Sequence, residues 1–90
     1  MNLPFEEKWI SPNKSVRKFS FDLDDEELKW HTDLEDRIIE CTHNTDWKFQ
    51  FDNLLPQSLS EKIIIPSGTW HRLIRGTGDL EIIITRINTL

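Results

Sequence analysis

The stretch Ile63-Ile64-Ile65-Pro66-Ser67-Gly68-Thr69-Trp70-His71 decides how this chain is read. Three β-branched residues in a row read as a well-buried strand. Pro66 ends it, because proline has no N–H to give a ladder, and Gly68 allows the tight turn that carries the chain into the next strand. Working outward, Leu80 to Ile87, with Ile82-Ile83-Ile84 at its centre, has the same composition. Gly76-Thr77-Gly78-Asp79 stands before it as a hairpin turn whose glycines tolerate positive φ. Trp47, Phe49 and Phe51 alternate with Lys48, Gln50 and Asp52, and Phe19, Phe21 and Leu23 alternate with Lys18, Ser20 and Asp22. Both stretches have the period of two of a half-buried strand. A second hairpin turn is expected at His43-Asn44-Thr45-Asp46, between Ile38–Thr42 and Trp47–Phe51. Turn signals this frequent predict many short strands and an all-β fold.

One segment fits two readings. Asp25-Glu26-Glu27 followed by Leu28, Leu34, Ile38 and Cys41 has the acidic start and apolar spacing of an amphipathic helix. Read as a strand, it puts Leu28, Trp30 and Thr32 on one face and Lys29, His31 and Asp33 on the other. Glu35-Asp36 is then a turn into Arg37–Thr42. Local sequence leaves the two readings tied.

Composition narrows the function classes. Ninety residues bury only about 60–65% of their unfolded surface, which leaves room for one modest core and one site. Eleven Ile, four Trp and five Phe suffice for that core. Sixteen Asp and Glu against eleven Lys and Arg, mixed along the chain, give a net charge of −5 and argue against nucleic acid as a partner. No apolar run approaches the ~20 residues that cross a bilayer, so no membrane role is expected. The acidic start lacks a signal peptide's basic and apolar regions, and the cytoplasm is the expected location. Cys41, the single cysteine, excludes an internal disulfide and reads as a buried structural thiol.

Pro66-Ser67-Gly68-Thr69-Trp70-His71 resembles the second motif of the cupin family, and Trp30-His31-Thr32-Asp33, forty positions earlier, is similar to the first. The resemblance covers roughly residues 28 to 87. It implies a single-domain antiparallel jelly-roll barrel over residues 1–90, with the barrel in 16–87 and an N-terminal flanking segment, strand or flap, in 1–15. It also favours strand–turn–strand over helix for Asp25–Cys41. Pro66 and Gly68 are the structural turn, and His71 emerges on the barrel's inner surface opposite His31.

The chain departs from the family pattern where the chemistry lies. Asp33 stands where a second histidine is expected, and the family's glutamate ligand falls on Arg37 or Ile38. Family glycines are lost at Asp25 and Ser60, the family's turn glycine maps near Asn44 or Thr45, and Arg75 replaces an asparagine. What remains, His31, Asp33 and His71, is two imidazoles and one carboxylate. Such a facial triad suits a divalent metal, whether iron, manganese, nickel or zinc, and looks like that of the 2-oxoglutarate-dependent oxygenases. Arg37 and Arg75 are the expected donors to a small anionic ligand. Beside this stands a plainer reading: His31 and Asp33 are the polar side of a strand, and His71 hydrogen-bonds Asp33.

Two functions follow from different classes. One is a small cupin that binds a divalent metal, an anionic ligand, or both in the barrel mouth. The other is a metal-free binding module or homodimer that buries outward apolar groups such as Trp30 and Trp70. The sequence names no reaction.

Overall fold

The computed structural model describes residues 5–22 and 28–87. Eight strands follow in chain order: β1 (Phe5–Ser11), β2 (Lys14–Phe19), β3 (Asp36–Cys41), β4 (Lys48–Phe51), β5 (Gln57–Ser58), β6 (Ile63–Ile65), β7 (His71–Ile74) and β8 (Leu80–Ile87). All pairings are antiparallel. They form a five-stranded sheet of order β1-β2-β8-β3-β6 and a three-stranded sheet of order β5-β4-β7. Among the described residues the ladders make two open sheets and do not close into one barrel. No described residue lies in an α-helix, so the helical reading of 28–41 fails; Asp25, Glu26 and Glu27 lie outside the described residues.

Alternation puts one face of each sheet into a shared core of Phe19, Ile39, Trp47, Phe49, Leu59, Ile63, Ile65, Leu73, Leu80, Ile82 and Ile84. Burying each such side chain is worth about 1.5–3 kcal/mol. The Ile63–Ile65 run is less buried than its composition suggests, because Ile64 points outward at 64% exposure while its neighbours are buried. Phe19 ends its strand. Ser20 to Asp22 turn away, and the Phe21 N–H donates to Asp79 Oδ1 (2.9 Å), leaving the Phe21 ring exposed. The expected continuation of alternation to Phe21 is thus broken, and Leu23 lies outside the described residues.

Neither expected hairpin turn closes a hairpin. The segment His43–Asp46 joins β3 of the larger sheet to β4 of the smaller, and Gly76–Asp79 carries β7 back to β8. The two crossovers pack on each other. Asp46 accepts from the Thr77 N–H (2.9 Å) and hydroxyl (2.8 Å), and the Trp47 indole donates to the Gly78 carbonyl (2.6 Å). Gly76 is needed for this close approach and not for positive φ, since a Cβ there would overlap Asp46 Oδ1 and come within 2.7 Å of the Trp47 nitrogen. Within the described part of the N-terminal segment, β1 pairs with β2 across a turn at Pro12-Asn13 and forms the edge of the larger sheet.

Candidate functional site

The two motif segments are tied together by backbone bonds. His31 and His71 exchange both N–H···O bonds at 3.0 Å, the isolated antiparallel bridge that takes the place of the strand expected over 28–33. The Gly68 N–H donates to the Asp33 carbonyl (2.9 Å) and the Ser67 N–H to Asp36 Oδ1 (2.8 Å). Asp36, expected in a turn, is the first residue of β3. Thr69 N–H to the Pro66 carbonyl (3.2 Å) closes a β-turn with Gly68 at φ 74°, the left-handed third position that glycine fills without strain.

This pairing faces the two imidazoles across 4.3 Å between ring centroids, with the His71 ring stacked on Phe49 at 5.5 Å. In each ring Nδ1 lies 2.8 Å from the carbonyl two residues earlier, Lys29 for His31 and Thr69 for His71. A carbonyl only accepts, so each Nδ1 carries a proton and Nε2 points to the other side of each ring, carrying a lone pair whenever that ring is neutral. Metal-binding histidines are held in this way. Donor atoms of His31, Asp33 and His71 all lie within 4.8 Å of one another, so the residues present can hold an ion.

Asp33 Oδ2 decides the electrostatics. It lies 3.1 Å from His71 Nε2, close to the ~3 Å between neighbouring donors on an ion with bonds of ~2.1 Å. It is buried and accepts no aligned hydrogen bond. With His71 neutral, two acceptors meet with nothing between them; a proton or a cation resolves the contact. Burial pushes the Asp33 carboxyl up, but contact with His71 and the charges of Arg37, His71 and His31 outweigh it and leave it below the ordinary carboxylate range.

Arg37 joins this centre, with Nη1 3.4 Å from Asp33 Oδ1 and Nη2 2.8 Å from Glu35 Oε1. Behind it runs a charge network that the sequence did not suggest. Arg86 bridges Glu35 (3.5 Å) and Glu7 (3.2 Å), and Glu7 accepts from Arg17 (2.9 Å) and Ser15 (2.9 Å). Glu7 falls in the segment expected only to flank the barrel. The available signal was alternation: Ser15 and Arg17 share the inward face of β2 with Phe19. A cavity of about 20 Å³, touched by Asp33, His71, Arg37 and Arg17, holds about one water or ion. Arg75 is exposed just past β7 and is not on that cavity's wall. Cys41 is half-buried, and burial raises its thiol pKa to about 11, consistent with an inert structural role. His43 is exposed, as its polar segment implied.

No protein-family model matches the chain. No curated protein matches it either. Its backbone does match solved structures. A chain from crystal structures of DMSP lyases superposes with a TM-score of 0.70 at 15% identity, covering 84% of this chain and 38% of that one. This chain therefore spans well under half of that protein's length. A cupin-2 domain protein from Shewanella frigidimarina matches with a TM-score of 0.62 at 17% identity, covering 93% and 81%. A cupin domain from Bordetella pertussis matches with a TM-score of 0.57 at 10% identity, covering 99% of both chains. Identities this low speak for the backbone alone, and by its backbone the chain has the cupin fold.

Proposed function

We propose that this chain is a small single-domain cupin of the jelly-roll kind, spanning residues 1–90, that holds one divalent metal ion through His31, Asp33 and His71. The observation that carries the reading is Asp33 Oδ2, buried and unsatisfied beside an imidazole nitrogen whose proton sits on the opposite side of the ring. The donor set suits iron(II), manganese, nickel or zinc. A bound ion supplies Lewis acidity toward a small molecule at its open positions. Around it, Lys29 and Thr69 fix the ring orientations, and Arg37 occupies Oδ1 of Asp33 and leaves Oδ2 to the ion. An organic anion does not fit in 20 Å³, so any such ligand meets the centre from outside. Of the two expected anion donors, Arg37 lines the centre and is bound to Asp33 and Glu35, and Arg75 lies outside that lining.

The test is metal content by mass spectrometry, with calorimetric titration of the metal-depleted protein. One ion per chain is expected, weakened at least tenfold in His71→Ala and Asp33→Asn. Equal uptake by wild type and both variants would place the ion elsewhere. The second reading is metal-free, with a proton between His71 and Asp33. The Arg37 contact favours it, since that guanidinium already offsets the Asp33 charge. It predicts no metal uptake by wild type or by either variant.

We also propose that two copies pair through the outer face of the larger sheet, where Ile10 and Ile64 are exposed and Ile38 stands opposite Ile64. A monomeric mass by light scattering would end that reading. Among the described residues, no helix is long and apolar enough to cross a membrane.

A further inference from the structure

The register that brings His31 and His71 together also builds something on the opposite face of the same strands. Side chains alternate, so the neighbours of the two inward histidines point outward. Pairing of His31 with His71 sets Trp30 opposite Arg72 and diagonal to Trp70. Diagonal partners on one face lie about 7–8 Å apart. Across the other side of β7, Phe51 pairs with His71, and the Asp52 N–H donates to the Trp70 carbonyl (2.9 Å), so Asp52 follows Trp70 onto the outer face. The result is an open cleft of about 160 Å³ walled by Trp30, Trp70 and Asp52. Trp30 is 40% and Trp70 53% exposed, a large apolar area to leave in water.

The chemistry of the walls selects the occupant. An indole face is negative at its centre and attracts a cation within about 6 Å. Trp30 and Trp70 both wall the cleft, so a cation in it meets two indoles. Trp30 already does this within the molecule, because the Arg72 guanidinium carbon lies 4.6 Å from its ring centroid. Arg72 is itself held by Gln50 (3.0 Å) and is not a wall of the cleft, so it steadies the ring without filling the site. Asp52 adds a full negative charge. The walls carry no hydrogen-bond donor but the indole N–H groups, a poor match for a sugar, which needs several donors and acceptors, and a good match for a cation that donates none.

We propose that Trp30, Trp70 and Asp52 form a surface site for a quaternary ammonium group, separate from the His31–Asp33–His71 centre. Occupancy requires neither metal nor a change in the core.

The test uses choline chloride and, as its uncharged carbon isostere, 3,3-dimethylbutan-1-ol. Each is titrated into the full chain with tryptophan fluorescence and calorimetry as readouts, at constant ionic strength set with sodium chloride. Choline is expected to bind and the isostere to bind on the order of 3–30-fold more weakly, the range that cation–π attraction spans. Trp70→Leu and Asp52→Asn should each weaken choline while leaving the urea midpoint unchanged, since all three walls are exposed. Chelator-treated protein should bind choline equally. Equal response to the two probes, no choline binding up to tens of millimolar, or full binding by Trp70→Leu would each overturn the proposal. Binding of neutral sugars in place of choline would do the same.

Discussion

Three glycines share the permissive backbone of their residue type but are used for different reasons. Gly68 needs its φ of 74°, so Gly68→Ala should cost about 1–2 kcal/mol. Gly76 needs the absence of a side chain, because its Cβ position is filled by Asp46 and by the Trp47 backbone, which cannot swing aside. Gly76→Ala should therefore cost about 2–3 kcal/mol. Gly78 needs neither, as nothing lies within 4 Å of a Cβ built there, and Gly78→Ala should stay within about 0.5 kcal/mol of wild type. Urea midpoints of the three variants check the ranking. A large loss at Gly78 would mean that the crossover is packed differently. Only the first glycine was readable in advance, because the proline two residues before it announced a turn; close approach of a distant loop leaves no local mark.

At the scale of the strand, β6 separates what a run of residue types says from what a face does. Ile63-Ile64-Ile65 declares a strand through its β-branching, but three identical residues carry no alternation, so the buried faces cannot be read from them. Pairing with β3 decides: Ile63 meets Ile39 inside, and Ile64 meets Ile38 outside. Ile63→Ala should cost about 2–4 kcal/mol, and Ile64→Thr less than about 0.5 kcal/mol. Denaturant unfolding of the two variants is the check, and a reversed ranking would show the register to be shifted by one. The crossovers teach the same lesson. Turn-forming residues at 43–46 and 76–79 announced changes of direction, yet which sheet the next strand joins depends on partners far along the chain.

For the whole molecule, the Arg17–Glu7–Arg86–Glu35–Arg37–Asp33 network links the edge strand β1 to the histidine pair. Burial works to raise the Glu7 carboxyl, but its bonds from Ser15, Arg17 and Arg86 prevail and hold it below its ordinary value of 4.5. A carboxylate lowered in the folded state stabilises the fold fully above the unfolded value and loses that contribution as pH falls through the lowered one. Asp33 is shifted in the same direction. Melting temperature should therefore be flat near neutrality and fall as pH drops below about 4.5. Glu7→Gln should be about 1–3 kcal/mol less stable at pH 7, because it strips a charge partner from the buried Arg17, and should show a shallower acid slope. Parallel acid limbs for variant and wild type would remove Glu7 from the network.

The sequence by itself determined the all-β class, the inward alternation of Phe49 with Trp47, the proline–glycine turn and the meeting of His31, Asp33 and His71. Each of these rests on local chemistry or on spacing within one strand, and the meeting of the triad also rests on two motifs that resemble a known pair. Only the tertiary structure decided that Arg37 is bound by Asp33 and Glu35, that Glu7 joins the charge network behind it through Arg86, and that the crossovers join two sheets. It also decided that Trp30, Trp70 and Asp52 share one outer face. Those outcomes depend on which strands become neighbours and in what register, and register is set by the packing of the whole core, which no short stretch of residues encodes.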